Sequence, residues 1–277
     1  MTARSVPDVA TLLAVRPLGD DRFEAPAGRP PDDPMGGLFG GRPLSIGLRA
    51  AGTTVAPDRL PHSVHGYFLR AGDDRLPLEI QVDRDRDGRS FSSRRVVISQ
   101  QGTTIFTMSA SFHLPEAGPD EQVPTMPDDV PEPESLAPSA IGGPARVLVD
   151  IRNAGSVHGT AEPSRAWGRA RGPLPEDPLV HSCVLINFSD VYTGLPALPG
   201  TENHGGPSLD HAFWFHRPAR LDDWVLMDLR PVSTGRGRGL YVGSFFDRRG
   251  VLVASVAQEV LFSTDRPIPV RPPGMEP

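Results

Sequence analysis

Apolar and polar residues alternate along the chain in two series. From residue 64 onward the runs VHGYFLR (64–70), LPLEIQV (76–82), FSSRRVVIS (91–99) and TIFTMSASFH (104–113) carry the period of strands. Gln100-Gln101-Gly102 separates the last two as a hairpin turn, and the charged run DRDRDGR (83–89) reads as the solvated tip of another. The series recurs as LDHAFWFH (209–216), WVLMDLR (224–230), LYVGSFFD (240–247) and VLVASVAQEVLF (251–262), the last two flanking Arg248-Arg249-Gly250. A helical stretch precedes each series. Residues 43–51 have Pro43 in the first turn and Gly52 at the stop. Residues 176–192, EDPLVHSCVLINFSDVY, are apolar on nearly every face, the mark of a helix buried all round. Runs at 146–152 and 166–171 are further strand candidates, and the fragments 10–15 and 23–25 predict a hairpin.

Each half therefore reads as strand, helix, then four strands. GYFLRAG (66–72) lies against AFWFHRP (212–218), Gly88 matches Gly237, and Gly102 matches Gly250, which suggests a duplicated unit. One helix wrapped by an antiparallel sheet is covered on all sides, and two such units can share one continuous sheet. The predicted division is 1–113, a Pro- and acid-rich linker at 114–144, and 145–277. The linker is too poor in apolar residues to fold by itself.

Composition removes several classes of function. The formal net charge is −6, so no basic excess favours a nucleic-acid partner. The 28 basic residues are all arginine, which excludes lysine Schiff-base chemistry. Cys183 is the single cysteine and reads as a core thiol; no H-x-x-x-H pair points to zinc, and no G-x-S-x-G points to an α/β-hydrolase. The N-terminal 15 residues lack the apolar run of a signal peptide and no segment approaches a membrane span, so a cytoplasmic protein is expected.

The candidate chemistry lies at the end of the second apolar helix. A carboxylate there, Asp190, is costly to bury. Taken singly it reads as an Asx turn with Thr193-Gly194. Ser208 reads as a strand-entry turn residue and Gln258 as a satisfied core amide. His211 and His216 read as structural. Phe213, Trp214 and Phe215 read as sheet core. Arg236 and Arg238 lead into a strand, so the glycines around them are not a dinucleotide loop.

Four segments together carry a resemblance: FGGRPLSIGLRAA, PHSVHGYFLRAGD, DGRSFSSRRVVISQQGTTIFTMSASF, and LDHAFWFHRP followed by GVLVASVAQE. They are similar, in order, to the acyl-CoA thioesterase II (TesB-like) family, over roughly 33–116 and 178–263. The resemblance implies an α+β double hotdog fold and hydrolysis of acyl-CoA to a free fatty acid and coenzyme A. It implies a catalytic set of Asp190 in INFSDVY, Ser208 two positions before the D-H of the next strand, and Gln258 in ASVAQEV. Asp190 would be a general base, with Ser208 and Gln258 orienting the water. Backbone N–H groups at Gly40 and Gly41 are candidate oxyanion donors. The first helix departs from the family, with Arg42-Pro43 where glutamine and an aliphatic residue are usual. No metal or organic cofactor is implied, and a homo-oligomer is expected, since hotdog sheets commonly extend through dimers. Two other readings stay open: a hotdog acyl-CoA hydratase or dehydratase, which would want a D-x-N-x-x-H-like run, and a non-catalytic acyl-CoA binding protein, motivated by the altered first helix.

Overall fold

The alternating runs become strands of one antiparallel sheet. The computed structural model describes residues 9–29, 37–139, 148–157, 159–196 and 206–262. The first half contains α1 (Val9–Leu12), β1 (Arg16–Gly19), β2 (Arg22–Ala25), α2 (Gly41–Gly52), β3 (Leu60–Phe68), β4 (Leu78–Asp87), β5 (Phe91–Gln100) and β6 (Thr103–His113). The second half contains β7 (Val149–Gly155), β8 (Arg165–Ala170), α3 (Pro178–Phe188), β9 (Asp210–Phe215), β10 (Val225–Gly235), β11 (Arg238–Asp247) and β12 (Leu252–Leu261). Across the sheet the order is β1-β2-β4-β5-β6-β3-β9-β12-β11-β10-β8-β7. The second six strands repeat the first six in mirror order about the β3–β9 seam. Each half wraps one helix, which is the double hotdog arrangement.

Both helices form for local reasons and are held by burial. Asp177 caps α3, accepting from Leu179 N at 3.0 Å, and Pro178 occupies the first turn, where no N–H is needed. Val180, Cys183, Val184, Leu185, Ile186 and Phe188 are all buried, each contributing about 1.5–3 kcal/mol if a full side chain leaves water. The helices run antiparallel against one another. Gly41 at the start of α2 lies under the end of α3, so close that a Cβ would come within 2.5 Å of Asn187 O. At the other end Arg49 of α2 pairs with Asp177 at 2.8 Å.

Several boundaries differ from expectation. The helix predicted over 176–192 ends at Phe188, with Ser189 as its C-cap, so Asp190 stands just outside it. The first helix starts two residues early and includes Gly52. The charged run at 83–89 is mostly strand: β4 continues to Asp87, its outer residues exposed. Each half opens with a hairpin rather than a lone strand. In the first half that hairpin is β1–β2, not 10–15 with 23–25; Val9–Leu12 is a helical turn, and Asp20 and Asp21 both take positive φ between the strands. Asp tolerates that region better than most side chains, which suits a two-residue turn. The strand start at 146–147 and the linker end at 140–144 lie outside the described residues.

The repeat register also moves. Leu69 N and Arg70 N both donate to Ile105 O, and His216 N and Arg217 N both donate to Val253 O. Residues 64–70 therefore match 211–217, one step from the alignment read in the sequence. A one-residue slip in a strand exchanges its faces: the earlier alignment set Tyr67, 60% exposed, on Phe213, 0% exposed.

The described part of the linker runs over the outer face of the second half. Trp167, Trp224, Leu226, Phe246 and Leu252 form a small apolar cluster there, and Met126, Val130 and Leu136 pack on it. Gln122 bonds Gly250 O and Leu252 N, and Trp167 Nε1 donates to Pro131 O. A segment without a core of its own is thus held by one supplied from the sheet.

Replacing Asp177 with Ala removes the α3 cap and the Arg49 pair. The expected cost is about 1–2 kcal/mol, a fall in Tm of about 2–6 °C, with Asp177→Asn recovering the cap part. Calorimetry on the two variants measures this; equal Tm values for Asp177→Ala and the parent would remove the cap from the account.

Candidate active site

Where α3 ends against the start of α2, the chain buries a polar cluster. Asp190 follows the α3 cap, and its side chain is 6% exposed. Gln258, on β12, is 1% exposed and uses both amide hydrogens: Nε2 donates to Asp190 Oδ1 at 2.8 Å and to Ser208 Oγ at 2.6 Å. Ser208, bridged to Val260 just before β9, donates to the same Asp190 oxygen at 3.3 Å. The three residues singled out in the sequence thus meet. A fourth contact comes from the first half: Gly41 N–H donates to the Asp190 carboxylate. The Gly41 amide, expected as an oxyanion donor, is therefore engaged by the acid.

The electrostatics follow from this setting. Burial pushes the Asp190 carboxyl up from 3.8 to about 6, against the hydrogen bonds from Gln258, Ser208 and Gly41, which favour the charge. The shift corresponds to about 3 kcal/mol held against the ionised form in the folded protein. Its stabilising effect is full below the ordinary carboxylate value and is lost as pH rises through about 6. Such a carboxylate is a stronger base than a surface aspartate and is still ionised at neutral pH.

Next to the cluster lies His211, on β9 and 0% exposed. Its Nδ1 faces Gln258 Oε1 and its Nε2 lies 2.9 Å from Ser189 Oγ. Burial drives its pKa down to about 4, so the ring is neutral and its 3.9 Å approach to Asp190 is not an ion pair. The sequence reading gave this histidine a structural role without placing it beside Asp190. The usable signal was parity: His211 shares the inward face of β9 with Phe213. His216 lies on the strand's rim and bonds Ser255 Oγ. Trp214, read as core, points outward at 36% exposure and meets His65 edge-on; Phe213 is the core residue of that run. Cys183 is a core thiol, pushed up to about 12 by burial.

The first half does not repeat the cluster. In the corrected register Val64 stands for His211 and Pro61 for Ser208. Val64 pairs across the ladder with Ala110, which takes the place of Gln258. Ala110 pairs in turn with Arg94, as Gln258 pairs with Tyr241. The buried Arg94 guanidinium donates to Thr54 Oγ1 and Thr54 O beyond the end of α2 and to Asp87. A structural plug occupies the position where the second half places its acid.

Two helix-in-sheet units sharing one sheet, with one such cluster among the described residues at their junction, define the class as a double hotdog protein. The family model "Acyl-CoA thioesterase N-terminal domain" matches residues 29–113, and "Acyl-CoA thioesterase C-terminal domain" matches 119–262. Acyl-coenzyme A thioesterase 8 of Homo sapiens is 36% identical over 91% of this chain and 87% of its own length. Acyl-CoA thioesterase 2 of Haemophilus influenzae is 34% identical over 81% of this chain and 87% of its own. The solved TesB protein of Mycobacterium avium subs paratuberculosis is similar at a TM-score of 0.78 and 32% identity, covering 94% of this chain and 100% of that one. The chain belongs to the acyl-CoA thioesterase II (TesB-like) family and is a thioester hydrolase. No described helix is long and apolar enough to cross a membrane.

Gly40 tests the geometry. Its φ of −64° suits any residue, yet a Cβ there would lie 2.5 Å from Asp190 Oδ2 and 3.1 Å from the Phe68 ring. Gly40→Ala is expected to displace the carboxylate and cut kcat by about tenfold or more, with stability changed by less than about 2 kcal/mol. Steady-state kinetics beside a denaturant melt measures both; full activity with an intact fold would show that the carboxylate position does not matter.

Proposed function

We propose that this protein hydrolyses acyl-CoA to a free fatty acid and coenzyme A, with Asp190 as general base and no covalent intermediate. Asp190 and Ser208 hold one water between them, and Gln258 orients it by fixing both groups through its two amide hydrogens. The carboxylate takes a proton from that water as its oxygen attacks the thioester carbon. The tetrahedral intermediate expels the thiolate, and the proton held on Asp190 is available to it. A thiolate leaves readily, so one activated water suffices. The observation that carries this reading is the buried Asp190 carboxylate, raised to about 6 and bonded at once by Gln258, Ser208 and the Gly41 amide. The Homo sapiens and Haemophilus influenzae relatives, named as acyl-CoA thioesterases, support the substrate class. The site draws on both halves. The chain divides into hotdog units at 1–113 and 145–277 joined by 114–144, and the family resemblance implies a homo-oligomer.

Thiol release from palmitoyl-CoA and shorter acyl-CoAs is the direct assay. Asp190→Asn is expected to lower kcat by about a hundredfold or more while the protein stays folded. Hydration of an enoyl-CoA without thiol release would point to a hydratase, and binding without turnover to a carrier; either result, or near-parental hydrolysis by Asp190→Asn, would sink the proposal.

The pH profile is a separate test. The base must be ionised, so kcat/KM should climb with one proton's dependence to a plateau above about 6, the value of Asp190. A limb that survives unmoved in the residual activity of Asp190→Asn would assign it to another group.

Light scattering tests the assembly: a solution mass equal to one 29.8 kDa chain would remove the homo-oligomer.

A further inference from the structure

We propose that His211 is a positioning residue for hydrolysis: it holds the Gln258 amide in the one orientation that presents N–H groups to Asp190 and Ser208. The inference rests on Asp190 acting as the base. A side-chain amide can turn over, exchanging its oxygen and nitrogen, with little change of shape. Turned over, Gln258 would set a carbonyl oxygen against Asp190 Oδ1, which repels the ionised carboxylate and suits only the protonated acid. Something must therefore make the productive orientation the lower in energy. Gln258 Oε1 can only accept, and the group it faces is His211 Nδ1. That nitrogen must carry the imidazole proton. Nε2 is then the bare nitrogen, and Ser189 Oγ, 2.9 Å away, donates to it. Ser189 has one proton, and Ile186 O, 2.8 Å away, is its other acceptor; with the imidazole proton on Nδ1 the hydroxyl turns from Ile186 O to Nε2.

The order of donation runs from Ser189 to His211, from His211 to Gln258, and from Gln258 to Asp190 and Ser208. Ser189, His211 and Gln258 are each at most 1% exposed, so no bulk water substitutes for a lost partner. The pairing also goes with the acid. In the first half, where no carboxylate follows the helix, both members are gone together, replaced by Val64 and Ala110. Among the charged and titratable groups around the cluster, Tyr241 of β11 is held far above its usual value by burial, with Asp190, Glu162 and Asp210 as the charges acting on it. α2 contributes its Gly41 amide.

Two substitutions separate this role from packing. His211→Leu fills space but donates nothing, whereas Asn in place of His211 carries an N–H close to where Nδ1 stood. For His211→Leu, kcat is expected to fall about tenfold or more, with KM within about threefold, and the acidic limb of kcat/KM to move alkaline by about half a unit or more. His211→Asn should restore most of the rate and return the limb. Equal losses in both variants with the limb in place would overturn the proposal and leave His211 a packing residue. So would an unaltered His211→Leu enzyme. Nitrogen NMR of the histidine-labelled parent at pH 7 gives a readout that needs no variant to fold: the proton is expected on Nδ1, and a proton on Nε2 or an imidazolium refutes the arrangement. Activity surviving in Asp190→Asn overturns the base assignment itself. Loss of activity there, beside an unshifted His211→Leu, overturns only the part given to His211.

Discussion

On the proposed mechanism, a carboxylate held out of water must be stabilised enough to ionise and yet remain basic enough to take a proton, and much of this fold bears on that balance. Burial alone would keep Asp190 protonated; hydrogen bonds alone would make it as weak a base as a surface aspartate. The chain places the acid just past the end of a helix that is apolar on nearly every side, then brings the opening turn of α2 onto it. That approach depends on two residues without side chains. Gly41 lets the helices touch at Asn187 O, and Gly40 leaves room for the carboxylate itself. The amide at Gly41 supplies the backbone donor, aided by the positive end of α2. Gln258 and Ser208 supply the side-chain donors from the adjoining strands.

The duplication explains the framework but not the chemistry. Sheet order, helix placement and the paired amide contacts to Ile105 O and Val253 O are shared by the halves. The polar cluster is not. Arg94, tied to Thr54 and Asp87, fills the first half's equivalent with a buried cation whose hydrogen bonds all go to fixed protein groups. On the proposed mechanism, one half carries the reactive acid and the other a structural ion network. The altered first helix belongs with the second role: Arg42 pairs with buried Asp74 at 3.1 Å, fastening α2 to the loop between β3 and β4.

Much of this was readable in the chain, because the informative signals were local. Strand alternation, turn glycines and the uniformly apolar helix at 176–192 located nearly every element, and Asp190 stood out as an acid at the end of an apolar run. What the sequence concealed was long-range or a matter of parity. The repeat alignment slipped by one because weak identity scores neighbouring registers alike, whereas the sheet tolerates only the register that keeps Val64 and His211 facing inward together. The same parity would have turned attention to His211. Gly41, read as an oxyanion donor, could not be tied to Asp190, since that partner lies about 150 residues away and nothing in a glycine names it. Helix ends shifted by a few residues because capping by Asp177 and packing, rather than composition, decide where a turn stops.

The first half's contribution of a backbone amide to the second half's acid changes the meaning of the connecting segment. In a pair of separate chains such a site would exist only while the chains were associated, and dilution would dissolve it. Here residues 114–139 fasten themselves to the outside of the second half through Gln122, Trp167 and Arg248, shortening the free tether back to β6. Joined in this way, each half sees the other at a high and constant effective concentration. Completing the site therefore becomes an intramolecular event, independent of how much of the protein is present.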